Sequence, residues 1–274
     1  MRFLLVFILI WPGALMAQDR RPSHCIALAD ATPGIEYLHR ASWTDPVDEY
    51  TVRISYIDHS MFLLQTAGGL SAVTDYRGFL GVTSFVPTVV TMNHAHDSHW
   101  TARPDPEIEH VLRGWGDGRT AIDHHLDLGE MLVRNVATDI RSQWDDRVEK
   151  FGNSIFVFEV EGLCIGHLGH LHHEPDPAQY AALGRLDVVM AAVDGGMTVD
   201  LPTMIRVLKR LRSSIVIPMH WWGTNTLQSF VAGMSDDFDA DYVEGASIEV
   251  SLRNLPSRPT IKILQPSFLS DQTE

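Results

Sequence analysis

Several short apolar runs lead into histidine, and this pattern constrains the fold of the chain more than any other feature. Residues 86–92, 163–165 and 215–219 are rich in β-branched or other apolar side chains, and histidine follows each run within a few positions. Largely apolar, β-branched runs are typical of strands that are buried on both faces. Polar residues at the ends of such strands converge on one crevice in an α/β layer fold. The pattern therefore predicts one site that is built from distant segments.

The order of the other elements predicts the layers. Strands expected at 51–57, 61–66 and 71–75 indicate an antiparallel meander. Helices expected at 177–183 and 201–211 then alternate with buried strands, which favours a layered α/β sandwich over a doubly wound Rossmann sheet. The remaining elements are a helix at 225–234 and strands at 86–92, 131–137, 154–160, 163–167, 188–193, 214–219, 247–252 and 260–264.

The first seventeen residues have the pattern of a secretory signal peptide. A charged start at Arg2 precedes the apolar residues 3–11, and small residues lead to Ala17, after which cleavage is expected. An uncleaved anchor is the alternative, although the apolar run is short for a membrane span. We predict a signal peptide at 1–17, an N-terminal arm at 18–48 and a single domain at 49–274. The mature protein is expected to be periplasmic or extracellular, without a stable membrane anchor.

The formal net charge of −14 bears on the partners. Nucleic acids and anionic membranes are themselves negative, so an acidic chain argues against both. A small-molecule substrate fits better, and the oligomeric state stays open.

Two cysteines limit the kinds of metal site. Cys164 lies in the apolar run 163–165 and is read most simply as a small core residue, with a disulfide to Cys25 as the alternative. Two cysteines are too few for a zinc-finger framework. Any metal site must therefore use His, Asp and Glu.

Histidine is the residue that gathers at the strand ends. Imidazole is the commonest neutral metal ligand, and three of these side chains fall within the six residues 94–99. His110, His124 and His125 stand apart and are expected to be structural. The nine that follow predicted strands are His59, His94, His96, His99, His167, His170, His172, His173 and His220.

Five segments between residues 51 and 222 carry a family resemblance, and their order and spacing make it specific. They are Asp58-His59-Ser60-Met61-Phe62 with the later Asp75, the histidine loop 94–99, the segment 167–173, the strand and glycine turn 186–200, and Ile217-Pro218-Met219-His220. Together they resemble the metallo-β-lactamase-fold hydrolases, in particular the branch with ascorbate-6-phosphate lactonase-like and N-acylphosphatidylethanolamine phospholipase D-like enzymes. The resemblance implies a four-layer αββα sandwich with a metal site at the strand ends.

The chain departs from this family pattern at three places. Where the family has the aspartate of its His-x-His-x-Asp-His motif, this chain has Ser98, with Asp97 one position earlier. His170 stands where the family has a metal-bridging aspartate, and residues 138–146 lack the expected histidine. Each change removes a charge or a donor from a site for two cations, which needs carboxylate to offset their repulsion.

The resemblance and the departures together give a site hypothesis. The metal ligands are expected to be His94, His96, His99, His170 and His220. Asp58 is expected to replace the lost carboxylate, and Asp58 or Asp97 to orient the attacking water or accept its proton. The residues expected to support the site are His59, Asp75, His167 and His173. Trp100, Trp221 and Trp222 are expected to form an apolar wall for the substrate, with a place in the core as the alternative.

The expected function is that of a secreted metal-dependent hydrolase. A divalent metal would activate water for attack on an ester, lactone, amide or phosphodiester bond. The expected metal is Zn²⁺, as one or two ions, and iron and manganese are left open. The first alternative is a metal-binding or ligand-binding protein of the same fold with reduced or no catalysis. A third reading is an iron-dependent oxidoreductase, because several histidines with a carboxylate also suit non-haem iron.

Overall fold

A computed structural model describes residues 23–27, 42–94, 96–142 and 147–271 of the chain. The expected signal peptide and most of the expected N-terminal arm lie outside the described residues. Of the helices in the described part of the chain, none combines the length and the apolar character that crossing a membrane requires.

Sixteen strands and four helices make up the described part of the chain. The strands are β1 (Val52–Asp58), β2 (Met61–Thr66), β3 (Ser71–Val73), β4 (Gly81–Val82), β5 (Val89–Met92), β6 (His110–Arg113), β7 (His125–Asp127), β8 (Met131–Arg141), β9 (Val148–Val160), β10 (Leu163–His167), β11 (Val188–Ala192), β12 (Ile215–Met219), β13 (Asp239–Tyr242), β14 (Ser247–Val250), β15 (Thr260–Ile263) and β16 (Leu269–Ser270). The helices are α1 (His24–Ala27), α2 (Pro177–Leu183), α3 (Leu201–Leu211) and α4 (Thr224–Met234).

Two large sheets form the centre of the fold. One has six strands in the order β14-β1-β2-β3-β5-β6, and the other has eight in the order β13-β15-β12-β11-β10-β9-β8-β7. The expected meander is present, since β1, β2 and β3 pair antiparallel in sequence order. Strands β3, β5 and β6 then run parallel, as do β10, β11 and β12 in the other sheet. The parallel strands bring their carboxyl ends to the same edge of each sheet.

Three clusters of buried apolar side chains hold the layers together. The first lies between the sheets and includes Phe62, Phe158 and Ile217. The second joins the eight-stranded sheet to the helices and includes Met204 of α3 and Phe230 of α4. Burying side chains of this size contributes roughly 1.5–3 kcal/mol each. The α/β sandwich expected from the sequence is thus confirmed.

The four-layer arrangement places helices over the outer face of the six-stranded sheet, but loops cover this face in the described part of the chain. Its third apolar cluster joins strand residues such as Leu63 and Met92 to Tyr76, Leu80 and Ile108. These last three residues belong to loops, so among the described residues a layer of loops takes the place of outer helices on this side.

Strand β9 begins six residues earlier than the sequence indicates, at Val148 instead of residue 154. Of the added residues, 148–150 are exposed and include the charged Glu149 and Lys150, and so they lack the apolar pattern of a buried strand. Pairing with the end of β8 across a bulge forms this extension. Strand β6 is short and half-buried, and strand β13 is short and largely exposed. Both are edge strands that the apolar pattern does not identify.

Cys25 and Cys164 form a disulfide with a Cα–Cα distance of 5.8 Å. The simpler expectation, that Cys164 is a small unpaired core residue, is therefore wrong. Cys164 is buried on the helix side of β10, and the α1 turn places Cys25 against it. Ser23 Oγ and the backbone N–H of His24 both donate hydrogen bonds to Glu159, which fixes the turn in place.

Candidate metal centre

The ends of six strands meet at one edge of the sandwich and deliver the polar residues of the site. His59 follows β1, Asp75 follows β3, and the loop with His96 and His99 follows β5. The other sheet contributes from its three parallel strands, namely His167 and His170 from β10, Asp194 from β11 and His220 from β12. The directions of the strands thus bring distant segments together, as the sequence predicts.

Four imidazoles form the centre of the site: His59, His96, His99 and His220. Each offers one ring nitrogen, and these four nitrogens all lie within 4.8 Å of one another. His99 Nε2 and His220 Nε2 are 3.3 Å apart. Two nitrogens bound to one tetrahedral Zn²⁺ at about 2.0–2.1 Å would be separated by roughly 3.3–3.4 Å. The spacing therefore matches one edge of a tetrahedral site.

Two buried carboxylates support these imidazoles from behind. Asp75 Oδ2 lies 2.5 Å from His99 Nδ1, and its Oδ1 accepts a hydrogen bond from Asn93 at 2.8 Å. Burial alone would raise the pKa of Asp75, but the neighbouring His99 and His167 and the hydrogen bonds lower it to about 2. An ionised Asp75 favours the tautomer that carries its proton on His99 Nδ1, which leaves the Nε2 lone pair facing inward.

Asp194 takes the same position behind His220. Its Oδ2 lies 2.9 Å from His220 Nδ1 and also accepts from Thr198 Oγ1 at 2.7 Å. Burial alone would raise the pKa of Asp194, but the close contact with His220 and the hydrogen bonds from Gly196 and Thr198 hold it well below its usual range. His220 is thereby oriented like His99, with its Nε2 lone pair toward the centre.

The residues present fit a metal ion. Two inward lone pairs that face each other at 3.3 Å repel unless a cation lies between them. His59 Nε2 is buried without a hydrogen-bond partner, which is costly for a ring nitrogen that water cannot reach. Burial, followed by the neighbouring imidazoles, lowers the pKa of His59 to about 3 and that of His96 to about 4. Neutral imidazole is the form that binds metal.

Three residues of the site adopt backbone angles that L-amino acids rarely use. The φ angles of His59, Asp75 and His220 are 47°, 43° and 57°. Such conformations cost about 1–3 kcal/mol each and persist where surrounding contacts enforce them. The carbonyl of His59 accepts from Tyr56 Oη at 2.6 Å and from the backbone N–H of His220 at 2.9 Å. These two hydrogen bonds to one carbonyl oxygen hold the ends of β1 and β12 together.

A family model described as the beta-lactamase superfamily domain matches residues 53–220, which is more than half of the chain. The chain belongs to this superfamily. Its fold is the metallo-β-lactamase fold, as the family resemblance of the sequence implied, while the branch within the superfamily stays a prediction. Membership supports a metal-dependent hydrolase.

Solved structures share this fold. A protein from Thermotoga maritima, described as a Zn-dependent hydrolase of the metallo-beta-lactamase superfamily, matches with a TM-score of 0.55 and 22% identity. The match covers 78% of this chain and 98% of that one. A protein from Parabacteroides distasonis, described as a metal-dependent hydrolase, also has a TM-score of 0.55, with 13% identity over 78% of this chain and 94% of that one. No curated protein sequence matches the chain significantly.

Ser98 occupies the position of the family's motif aspartate and supports a ligand instead. Its Oγ lies 2.8 Å from His96 Nδ1, so it holds the outer nitrogen of that ring as Asp75 does for His99. The backbone N–H of His99 bonds to the carbonyl of His96 at 3.0 Å and closes the loop between the two. The sequence identified Ser98 only as the loss of a carboxylate.

Four residues predicted as metal ligands or catalytic carboxylates lie outside the group of four imidazoles, namely His94, His170, Asp58 and Asp97. His94 turns to the other side of its tight loop, where its Nδ1 lies 3.4 Å from Glu149 and its ring stacks on Trp115. Asp58 pairs with Arg77 at 2.7 Å, and the four-imidazole group contains no carboxylate. Asp97 is exposed on the histidine loop. The physical reason is similar for His94 and Asp58, since adjacent residues in a tight loop or at the end of a strand point in different directions.

The other predicted residues take supporting positions. His170 approaches from the opposite sheet, with Nε2 3.1 Å from His96 Nε2. Burial and the surrounding imidazoles hold the pKa of His170 well below its usual value. His167 donates to the carbonyl of Ser60 at 2.8 Å, and His173 accepts from the backbone N–H of Asp139 at 3.1 Å. His167 therefore holds the backbone beside His59, and His173 holds the backbone of β8.

The three tryptophans divide between surface and core. Trp222 is 70% exposed, and its ring centroid lies 5.0 Å from that of His59 at the mouth of the site. Trp100 packs edge-on against Trp115 beside His94. Trp221 packs against the helix-side core, so Trp222 is the tryptophan that offers an apolar surface to a bound molecule.

Four residues of the site were not recognised from sequence in their roles: Asn93, Ser98, Asp194 and His172. Asn93 follows the β5 strand and Asp194 follows β11, so position after a buried strand was a usable signal for both. The contacts of Ser98 and His172 depend on ring orientations that sequence does not encode.

Proposed function

We propose that this protein is an exported hydrolase that uses one divalent metal ion, with Zn²⁺ as the preferred ion. The observation that carries the proposal is the group of four imidazole nitrogens within 4.8 Å of one another, at the strand ends of a metallo-β-lactamase fold. His59, His96, His99 and His220 would hold the ion. An all-imidazole set with buried carboxylates behind two of its rings suits Zn²⁺.

A bound ion would lower the pKa of a water molecule and polarise a carbonyl or phosphoryl oxygen, which is the chemistry of ester, lactone, amide or phosphodiester hydrolysis. The chain's own residues then set the geometry. Asp75 and Asp194 fix the tautomers of His99 and His220, and Asp97 is the candidate carboxylate for orienting the attacking water. Trp222 would contact an apolar part of a small substrate at the mouth of the site.

The choice of one ion follows from charge. A second cation about 3.5–4 Å from the first needs carboxylate to offset the repulsion. Asp75 and Asp194 each already hold an imidazole, and Asp58 holds Arg77. Asp97 is exposed on the histidine loop and does not belong to the four-imidazole group, so a second ion would lack a buried carboxylate of its own among the described residues.

Export is supported by the disulfide between Cys25 and Cys164, because such bonds persist in oxidising compartments. It agrees with the signal-peptide pattern of residues 1–17. We propose a periplasmic or extracellular location, with removal of the leader before Gln18.

A second candidate function is that of a metal-binding protein with little or no catalysis. The observation in its favour is the absence of carboxylate from the four-imidazole group. An iron-dependent oxidoreductase is the third reading, and it would need the same ligands to hold iron.

The test is metal analysis followed by a substrate panel. Protein purified without chelator is expected to contain one zinc per chain and, when loaded, to hydrolyse at least one ester, lactone, amide or phosphodiester. His220→Gln, purified in parallel, is the control for both measurements. Metal without turnover on the whole panel would favour the binding protein, and iron with a redox-dependent spectrum would favour the oxidoreductase.

A further inference from the structure

A chain of hydrogen bonds runs from the backbone of β8 through two histidines into the site. The backbone N–H of Arg141 donates to His172 Nδ1 at 2.6 Å. His172 Nε2 lies 2.5 Å from His170 Nδ1, and His170 Nε2 lies 3.1 Å from His96 Nε2. Each ring in this chain uses both of its nitrogens.

The first bond of the chain fixes the position of every later proton. A peptide N–H can only donate, so His172 Nδ1 must accept. A neutral imidazole has one N–H, which places the proton of His172 on Nε2. His172 Nε2 then donates to His170 Nδ1, and the proton of His170 is left on its own Nε2. That N–H points into the site, at the lone pair of His96 Nε2 3.1 Å away. An ion bound to His96 would take this lone pair and leave the His170 N–H for another acceptor.

His170 therefore presents the opposite tautomer from His99. The Nδ1 of His99 faces the Asp75 carboxylate, which holds the proton there and turns the Nε2 lone pair inward. A metal ligand needs that lone pair, and an N–H cannot supply it. Although His170 lies near the other rings, its inner nitrogen is occupied by a proton.

Contacts at both ends hold the chain in place. The Arg141 side chain donates through Nη2 to the carbonyls of Gly196, Met197 and Thr198, at 3.0, 2.9 and 2.7 Å. At the other end, the backbone N–H of His170 donates to Asn153 Oδ1 at 2.9 Å, and the His170 side chain is buried. The two rings cannot exchange tautomers without breaking the bond to a peptide N–H.

We propose that His170 is a hydrogen-bond donor to the substrate oxygen on which negative charge develops, and that it is not a metal ligand. His172 is the positioning residue that holds the proton on His170 Nε2. The substrate role rests on the proposed hydrolase function, whereas the tautomer follows from the contacts alone. A fixed N–H that faces developing charge is the arrangement of an oxyanion-binding group.

The tautomers are measured by NMR on metal-free protein that carries ¹⁵N-labelled histidine. His170 is expected as the Nε2–H form and His99 as the Nδ1–H form, with His170→Leu and His99→Gln used for assignment. In His172→Phe, which leaves His170 in place, the Nε2–H form of His170 is expected to lose its dominance. A His170 ring found as the Nδ1–H form in the unmodified protein would overturn the proposal.

Zinc affinity separates a donor from a ligand without any measurement of turnover. Chelator competition should give His170→Leu an affinity within about threefold of the unmodified protein, whereas His99→Gln should lose at least a hundredfold. An equal loss in both variants would make His170 a ligand and overturn the proposal. Circular dichroism of each variant checks that the fold is retained.

Turnover tests the substrate role separately. With the zinc-loaded protein and a substrate from the panel, His170→Leu is expected to lower kcat by about 10²–10³-fold, the usual effect of removing one such donor. His172→Phe should lower kcat at least tenfold and leave zinc bound. Unchanged kcat in His170→Leu would overturn the substrate role. No turnover by the unmodified protein would contradict the proposed function, while the tautomer and affinity results would still decide whether His170 is a ligand.

Discussion

His99 Nε2 and His220 Nε2 face each other at 3.3 Å, and each ring has a carboxylate on its outer side. Asp75 and Asp194 thus turn two lone pairs toward the same point from different sheets. Without a cation these lone pairs repel, so the native fold includes an unfavourable contact that metal binding would remove. The stability of the protein should therefore depend on metal.

Zinc is expected to stabilise the unmodified protein against unfolding. An ion that binds only the folded state adds about 4 kcal/mol at a thousandfold excess over its Kd. The melting temperature should rise on addition of ZnCl₂ and fall after dialysis against a chelator. His99→Gln should show no such zinc response, and a similar rise in that variant would place the ion elsewhere.

Neighbouring histidines of one loop should differ in their effect on metal binding. His96→Ala is expected to lower zinc affinity by at least tenfold, because His96 is one of the four imidazoles. His94→Ala should bind zinc normally, since its ring contacts Glu149 and Trp115. Asp58→Ala serves as a second control and should also retain zinc. Metal loss in His94→Ala would show that this loop changes conformation when the ion binds.

Gly169 is expected to tolerate no side chain. Its φ angle is +60°, and an added Cβ would lie 2.5 Å from both Asn153 Oδ1 and Asn93 Nδ2. Gly169→Ala should displace Asn93 from Asp75 and weaken zinc binding, in addition to a backbone cost of about 1–2 kcal/mol. Gly118→Ala is the matched control, because its φ is +76° with no atom within 4 Å of the added Cβ. Chelator competition and urea unfolding of both variants test this difference.

Glu159 should make stability sensitive to acid. Burial alone would raise the pKa of Glu159, but hydrogen bonds from Arg134 and Ser23 and the Arg134 charge lower it. A pKa lower in the folded than in the unfolded state gives stability that is complete above the unfolded value and is lost as pH falls through the folded one. The unmodified protein should thus lose more stability between neutral pH and about pH 3 than Glu159→Gln does.

At neutral pH, Glu159→Gln should itself be less stable by about 3 kcal/mol, because it leaves the buried Arg134 without its counter-ion. Urea unfolding across the pH range measures both effects. Parallel pH curves for the two proteins would contradict the role given to Glu159.

The disulfide should contribute a large part of the stability. Cys25 and Cys164 are 139 positions apart, and a link across a loop of this length restricts the unfolded chain by about 4–5 kcal/mol. The double variant Cys25→Ala, Cys164→Ala is expected to lose stability of this order in urea unfolding. The unmodified protein in reductant should behave like the variant, and a thiol assay should find two thiols only after reduction and unfolding.

The pattern of buried runs was sufficient to predict the layers and the edge of the fold where the site lies. Buried runs such as Val188–Ala192 and Ile215–Met219 allow little besides a central strand, because their apolar side chains need cover on both faces. His220 directly follows such a strand and reaches the site. The same reasoning left out the exposed edge strand β13, whose residues carry no burial pattern.

Which side chains face one another depends on the folded structure. His94 and His96 are two residues apart in one loop, yet one reaches the centre and the other contacts Glu149. Sequence placed Asp58 at a strand end but could not show that Arg77 binds its carboxylate. The tautomer of His170 depends on a peptide N–H of β8 that lies far away along the chain. Burial patterns are local properties of the sequence, whereas ring orientation and proton position are set by partners that only folding brings together.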